Sequence, residues 1–261
     1  MQVDVLDLEG KPIGKISLPE VFSSEVRADL IRRAVHAYQS HRLQPQGRDP
    51  MAGKRTSAQS YGVGHGLARL PRVKGERYTR AGQAAFAPST VKGRATHPPR
   101  ADKVLRLKVN KKERLKALRS AVAATASREF VTARGHLLDG DRSLPIVVSD
   151  EAEKISRTQE AKRLLESLGV WVDVERVLES VKVRPGKGKM RGRGRRHRVG
   201  PLLVIHQDQG LAQAARNLLG VSVVDVKSLN AEDLAPGTHP GRLTVWTESA
   251  VKALGERFKE G

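Results

Sequence analysis

The run Pro145-Ile146-Val147-Val148-Ser149-Asp150 decides the fold. A short, β-branched apolar run with no polar break suits a strand covered on both faces, and the Ser-Asp that ends it suits a turn. Thr158 to Leu168 then reads as a helix, with Ala161, Leu164, Leu165 and Leu168 on its inner face and Gly169 placed to end it. The pattern recurs downstream. Asp173 to Val181 reads as a short helix, Leu202 to Ile205 as a strand, Gln209 to Leu219 as a helix stopped by Gly220, and Val221 to Val226 and Leu243 to Trp246 as strands. Thr247 caps a last helix that runs to Phe258. Strands and helices alternating at these lengths predict an α/β fold: a single mostly parallel sheet flanked by helices.

Upstream, Val3, Val5, Leu6 and Leu8 suggest a strand that Glu9-Gly10-Lys11-Pro12 turns into a second one over Ile13 to Leu18. Ser23 or Ser24 caps the next helix, with Glu25 in its first turn. Its apolar face is Val26, Leu30, Ala34, Ala37 and Tyr38, which turns Arg27, Arg32 and Arg33 outward. Further on, Lys103 to Val109 is a strand or an extended lead-in. Asn110 with Glu113 three residues later has the spacing of a capping box. Leu115, Leu118, Val122 and Thr125 form the buried stripe of that helix. Lys111, Lys112, Arg114, Lys116 and Arg119 crowd its start, where the helix dipole disfavours cations; solvation or a nearby anion relieves the conflict.

Between these elements, Arg42 to Arg100 holds twelve basic residues against Asp49 and Glu76, with eight glycines and almost no hydrophobic periodicity. Such a stretch cannot form a core, and a loop of this length is expected to be functional or to order on a partner. A second basic island, Val181 to Gly200, has nine positive residues and no acid. Together the two carry +19 of the chain's net +20, so the charge sits on two appendages of a nearly neutral body. This gives a globular domain over 1–44 and 101–261, a long basic extended arm over 45–100 inserted after the first helix, and a second basic loop over 182–200.

Several chemistries fail on the residues. The chain has no cysteine, which excludes disulfides, thiolate metal sites and a cysteine nucleophile. None of the five Gly-Lys pairs precedes Ser or Thr, so there is no phosphate-loop signature. Gly62-Val63-Gly64, Gly186-Lys187-Gly188 and Gly192-Arg193-Gly194 each lack the third glycine of a dinucleotide fingerprint. The eight histidines show no ligand spacing; His36 and His41, the nearest pair, do not stack on a helix face. Asp150, Asp208 and Asp225 lie near strand ends, where an α/β enzyme places catalytic groups, but each is more simply a cap or turn residue. No cofactor, metal or catalytic residue is expected. The start of the chain reads as no secretory signal and its apolar runs are too short to span a bilayer, which points to a soluble intracellular protein.

Nucleic acid suits what the appendages offer. Arginine and lysine pair with phosphates, glycine lets backbone approach a ribose-phosphate chain, and Tyr61, Tyr78 and Phe86 can stack on unpaired bases. Arginine supplies nine of the twelve basic residues in the arm, and its planar fork suits bidentate phosphate contacts. Leu67, Leu70, Pro71, Val73 and Phe86 give the arm apolar anchors that a solvated tail would lack. The expected RNA-binding residues are Arg48, Lys54, Arg55, Tyr61, Arg69, Arg72, Lys74, Arg77, Arg80, Lys92 and Arg94 in the arm. In the island they are Lys187, Lys189, Arg191, Arg193, Arg195, Arg196 and Arg198.

Three blocks resemble a known family. They are Thr56-Ser57-Ala58 through Gly82-Gln83-Ala84-Ala85-Phe86, then Gly186-Lys187-Gly188-Lys189-Met190-Arg191-Gly192-Arg193, and Leu234-Ala235-Pro236-Gly237 with Gly241-Arg242 and Trp246-Thr247-Glu248-Ser249-Ala250. In order and spacing they are similar to ribosomal protein four of the large subunit, in its archaeal and eukaryotic form. The resemblance implies a structural, non-enzymatic protein of the cytoplasmic ribosome that binds large-subunit rRNA early in assembly. It implies an arm whose far end lines the nascent-peptide exit tunnel beside neighbouring ribosomal proteins, in reach of the nascent polypeptide. By position that tip is Gly64, His65, Gly66, Leu67, Arg69, Leu70, Pro71 and Arg72, within Gly64 to Gly75. Tyr61 stands where eukaryotic members are expected to carry tryptophan, and His65-Gly66 replaces a more basic pair. The chain stops at Gly261 without the long extension of eukaryotic members, which favours the archaeal type.

Overall fold

The computed structural model describes residues 1–140 and 142–259. In chain order, β1 (Gln2–Leu6) and β2 (Pro12–Ser17) form a hairpin, and a 3-10 turn at Glu20–Ser23 leads to α1 (Ala28–Ser40). After the basic arm come α2 (Lys111–Ala126), α3 (Arg128–Ala133) and β3 (Ile146–Val148). They are followed by α4 (Thr158–Ser167), α5 (Trp171–Glu179), β4 (Lys182–Val183) and β5 (Arg195–Arg196). The chain closes with β6 (Leu202–Ile205), α6 (Leu211–Ala215), β7 (Ser222–Asp225), α7 (Ala231–Leu234), β8 (Thr244–Thr247) and α8 (Glu248–Lys259).

Six strands make one sheet in the order β2-β1-β3-β8-β6-β7. Only the β1–β2 pair is antiparallel; the other four pairings are parallel. Alternate residues along the central strands serve opposite faces, as the strand period requires. Val147, Leu202, Val204 and Trp246 pack with Ile31, Val35, Leu118, Val122, Val251 and Leu254 from α1, α2 and α8. Ile146, Val148, Leu203, Ile205 and Val245 pack with Leu164, Leu165 and Leu211 from α4 and α6. Trp246 is fully buried, edge-on to Phe22 at 5.4 Å, and its indole N–H donates to Thr244 Oγ1 at 3.0 Å. The mostly parallel sheet with helices on its faces is the fold that the apolar runs predict.

Local expectations differ from the structure at four helices. α1 begins at Ala28, and neither Ser23 nor Ser24 caps it. The Arg27 N–H ahead of it donates to Ser120 Oγ of α2 at 3.2 Å, and that hydroxyl donates to the Glu25 carbonyl at 2.9 Å. A cap supplied by another helix leaves no local signature. The buried face of α1 is Ile31, Ala34, Val35 and Ala37, while Val26, Leu30 and Tyr38 are half-buried, so the expected stripe was out of phase. On α2, Asn110 forms no side-chain cap; Glu113 instead pairs with Arg33 at 2.9 Å. From Ala117 onward α2 is buried nearly all round, because its alanines let neighbours approach on every side. α6 is only Leu211–Ala215, and α5 starts at Trp171, ahead of Asp173. Lys103 to Val109 forms no strand.

Contacts divide the chain into two compact units, Met1–Gln39 with Leu107–Gly261, and Ser40–Arg106. The first holds the sheet and both apolar clusters.

Candidate nucleic-acid interface

Past the end of α1 at Ser40, the unit at Ser40–Arg106 contains no regular strand or helix; its folded-back segments are held by backbone hydrogen bonds and two isolated β-bridges, Gln59 with Arg72 and Arg72 with Ala84. At its stem the Arg48 N–H donates to the Pro99 carbonyl at 3.2 Å. Farther out, Gln59 and Arg72 exchange both backbone bonds at 2.9 and 3.0 Å. Gly82 donates to Val73 at 3.0 Å, and Ala85 to Pro71 at 2.8 Å, so three segments run side by side. The stretch is therefore internally ordered, although its sequence reads as a loop without periodicity. Glycines and main-chain bonding leave no hydrophobic pattern to detect.

Within this unit Arg48, Lys54, Arg69, Lys74, Arg77, Arg80 and Lys92 are exposed and pair with no carboxylate among the described residues. Three other expected contacts are already engaged. Arg55 pairs with Asp49, and its guanidinium holds that carboxyl below the usual range. Arg72 is half-buried and donates to the Gly82 carbonyl at 3.0 Å. Arg94 lies over the Phe86 ring at 5.6 Å, which makes Phe86 a partner for a cation before it is a platform for a base. Tyr78 donates to the Lys74 carbonyl. Tyr61 is 44% exposed, with its ring centre 6.4 Å from that of His65. Gly64, His65, Gly66, Leu67, Arg69 and Leu70 are all exposed, and Pro71 with Arg72 is half-buried.

The second island is not a plain loop. β4 and β5 pair antiparallel, Lys182 with Arg196 and Val183 with Arg195, around a 3-10 turn at Gly186–Arg191. Lys187, Lys189, Arg191, Arg193, Arg195, Arg196 and Arg198 all face solvent without an acidic partner among the described residues. Seven cations along one short hairpin repel one another in the absence of an anion. A main-chain bond from Arg184 to Gly194 at 2.8 Å holds the hairpin closed.

Sequence reasoning missed the side chain that roots this hairpin. Arg242 is 4% exposed and donates to the carbonyls of Gly200 and Asp233 at 2.9 Å each and to Ser222 Oγ at 2.8 Å. It ties the residues ahead of β6 to the edge strand β7 and to α7. Burial, with the like charge of Arg134, brings its guanidinium down to about 10. A lone arginine after Gly241 carries no local sign of that role. Also missed was a buried cluster in which His136 Nδ1 lies 2.9 Å from Asp173 Oδ2, while Arg176 Nε donates to Asp173 Oδ1 at 2.8 Å.

Two of the three strand-end carboxylates, Asp150 and Asp208, cap helix starts. Asp150 accepts the Ser249 N–H at the start of α8 at 2.8 Å, and Asp208 accepts from Gly210 and Ala212 at 3.0 and 3.1 Å ahead of α6. Asp225 Oδ1 is buried at the end of β7 without a hydrogen-bond partner. No group of three or more metal-ligating side chains occurs among the described residues, and no helix there is long and apolar enough to cross a membrane.

Comparison with known proteins places these features in a lineage. Residues 16–257 match the sequence model of the Ribosomal protein L4/L1 family. The large ribosomal subunit protein uL4 of Methanothrix thermoacetophila is 52% identical over 258 residues, covering 99% of this chain and all 100% of that protein. That of Methanosphaera stadtmanae is 47% identical over 259 residues, covering 99% and 98%. That of Saccharolobus islandicus is 48% identical over 257 residues, covering 98% and 94%.

Proposed function

Because the chain belongs to the ribosomal protein L4/L1 family, in its archaeal form, it is a structural and non-enzymatic component of the large ribosomal subunit, and we propose that its two cationic segments bind large-subunit rRNA. The observation that carries this reading is the absence of acidic partners. Seven cations of the arm and seven of the hairpin lie exposed and unmatched by carboxylate among the described residues, whereas the buried Arg242 is engaged by carbonyls and the Ser222 hydroxyl.

The mechanism is electrostatic and geometric. The sheet domain docks and positions the two cationic segments, which neutralise phosphates that would otherwise repel as RNA helices pack. Binding of this kind serves early steps of subunit assembly. The arm spans 45–100 and the second RNA-binding loop 182–200, with the contact residues at Arg48, Lys54, Arg55, Tyr61, Arg69, Arg72, Lys74, Arg77, Arg80, Lys92, Arg94, Lys187, Lys189, Arg191, Arg193, Arg195, Arg196 and Arg198. The stretch from Gly64 to Arg72, exposed as far as Leu70, forms the arm's far end at the wall of the nascent-peptide exit tunnel, beside neighbouring ribosomal proteins. The protein acts in the ribosome, in the cytoplasm. A filter-binding competition between large-subunit rRNA and duplex DNA at physiological salt tests the proposal. Preference for rRNA supports it, and equal affinity contradicts it.

A further inference from the structure

At the base of the second cationic segment, the sheet-bearing unit has two adjoining recesses that share Arg176 and Arg198 as a common wall. The larger, of about 710 Å³, is further lined by Phe130, Arg134, His239 and Pro240, and no acidic side chain lines it. The smaller, of about 370 Å³, brings in Lys182 and Arg196 against a single acid, Glu179. Four separate parts of the chain meet here: α3 and its C-terminal turn, α5, the strand-end residues after β5, and the loop before β8.

The charge of this wall exceeds what the protein supplies to balance it. Arg134 donates to the carbonyls of Pro236, at 2.7 Å, and His239, not to a carboxylate. Burial and the like charge of Arg176 bring its guanidinium down to about 10. Arg176 is largely buried, with Nε donating to Asp173 Oδ1 at 2.8 Å and one Nη to the Val199 carbonyl at 3.0 Å, and the fully buried Asp173 also accepts from His136 and from the Leu137 N–H at 3.0 Å. The Arg198 backbone N–H is held by Ser180 Oγ at 2.9 Å, while its exposed guanidinium has no partner among the described residues. Next to these cations, Phe130 and Pro240 provide apolar wall. Cations converging beside an aromatic and a proline recognise a phosphate joined to a flat apolar ring. The volume is that of a pocket for one small molecule, too small for a duplex.

We propose that the larger recess holds one unpaired nucleotide of the bound RNA, its phosphate between Arg176 and Arg198 and its base against Phe130 and Pro240. The inference rests on the rRNA-binding reading and adds to its contact at Arg198 a pocket formed by Phe130, Arg176 and Pro240, outside both cationic segments. The free fork of Arg198 fixes the phosphate, Arg176 adds its charge beside it, and a stacked base gives the contact its demand for single-stranded RNA.

Ultraviolet crosslinking of the full chain to large-subunit rRNA, with the crosslinked peptides mapped, tests it alongside the Arg198→Ala variant. Arg198 is exposed, so its truncation leaves the core intact. The expected result is a crosslink at Phe130 to Gly135 or at His239. Arg198→Ala should remove that crosslink and weaken rRNA binding by about tenfold, while arm crosslinks persist. A Phe130→Leu variant, which keeps apolar volume but loses the ring, should lose the crosslink with a smaller change in affinity. Crosslinks confined to the arm and hairpin, or a recess crosslink unchanged in Arg198→Ala, overturn the inference and leave the rRNA-binding reading standing. No preference for rRNA over duplex DNA in the wild-type chain overturns both.

Discussion

Gly53 and Gly93 meet across the arm: a Cβ on Gly53 would stand 2.4 Å from the Gly93 carbonyl oxygen, a separation no side chain tolerates. Gly53 also has φ +78°, so two independent constraints hold it as glycine. The consequence is that the outgoing and returning segments nearly touch at this level. Deleting Gly53 to Arg94 and joining Ala52 to Ala95 therefore bridges a short gap. Neither apolar cluster of the sheet-bearing unit includes a residue from the deleted segment. The shortened chain is expected to unfold in one cooperative transition, with a midpoint close to that of the full chain by circular dichroism. A broad, non-cooperative transition would show that the arm is part of the core.

The pair His136–Asp173 sets a pH dependence. Asp173 accepts in all its contacts, so His136 donates from Nδ1, while its Nε2 is buried without a partner among the described residues. Burial, above the opposing pull of Asp173, pushes the imidazole below its ordinary value of 6.5. Burial raises the Asp173 carboxyl, but hydrogen bonds from His136 and Arg176 outweigh it and leave that group below 3.8. The unfolded chain thus binds a proton at His136 before the folded chain does. Stability from this group is full above pH 6.5 and falls as pH drops below it; Asp173 adds a second loss below pH 3.8. Urea unfolding between pH 7.5 and 5 should show the first loss in the wild type, and His136→Asn, which keeps a donor toward Asp173, should flatten it. Parallel curves for the two proteins would contradict the assignment.

Glu153 joins the strand ends. It is 4% exposed and accepts the N–H groups of His206 and Gln207, at 2.8 and 3.3 Å, and the Thr247 hydroxyl at 2.8 Å. It thereby fastens the turn after β3 to the carboxyl ends of β6 and β8. Glu153→Gln sets an amide NH₂ against a backbone donor, so a loss of about 1–3 kcal/mol is expected by chemical denaturation with the fold retained. Glu153→Ala should lose more. A change below about 0.5 kcal/mol in Glu153→Gln would show that the bonds are not held in solution.

What the sequence makes legible follows from the range of each interaction. Ile146 to Val148 and Leu202 to Ile205 announce themselves because a strand buried on both faces needs an unbroken apolar run. The cationic segments are equally plain, since charge is a sum over residues and needs no geometry. The phase of α1 was not legible: Leu30 and Ile31 are equally apolar, and only the position of the sheet selects Ile31. Nor was the reach of Ser120 to the start of α1, which joins residues 93 apart in sequence. Within the arm, composition could not tell Arg55, Arg72 and Arg94, already engaged by Asp49, Gly82 and Phe86, from cations that remain free. The recess around Arg176 and Arg198 draws on four chain segments and has no linear motif.

On the proposed reading, the arm carries most of the electrostatic affinity for rRNA. The most direct measurement is the dependence of binding on salt, for the full chain and for the chain lacking Gly53 to Arg94, on large-subunit rRNA. If roughly ten phosphates are neutralised, the full chain's log–log slope should be about −7 to −9. Removing the arm should reduce that slope by about half or more and weaken binding at physiological salt by several powers of ten. An unchanged slope and affinity in the shortened chain would contradict the claim.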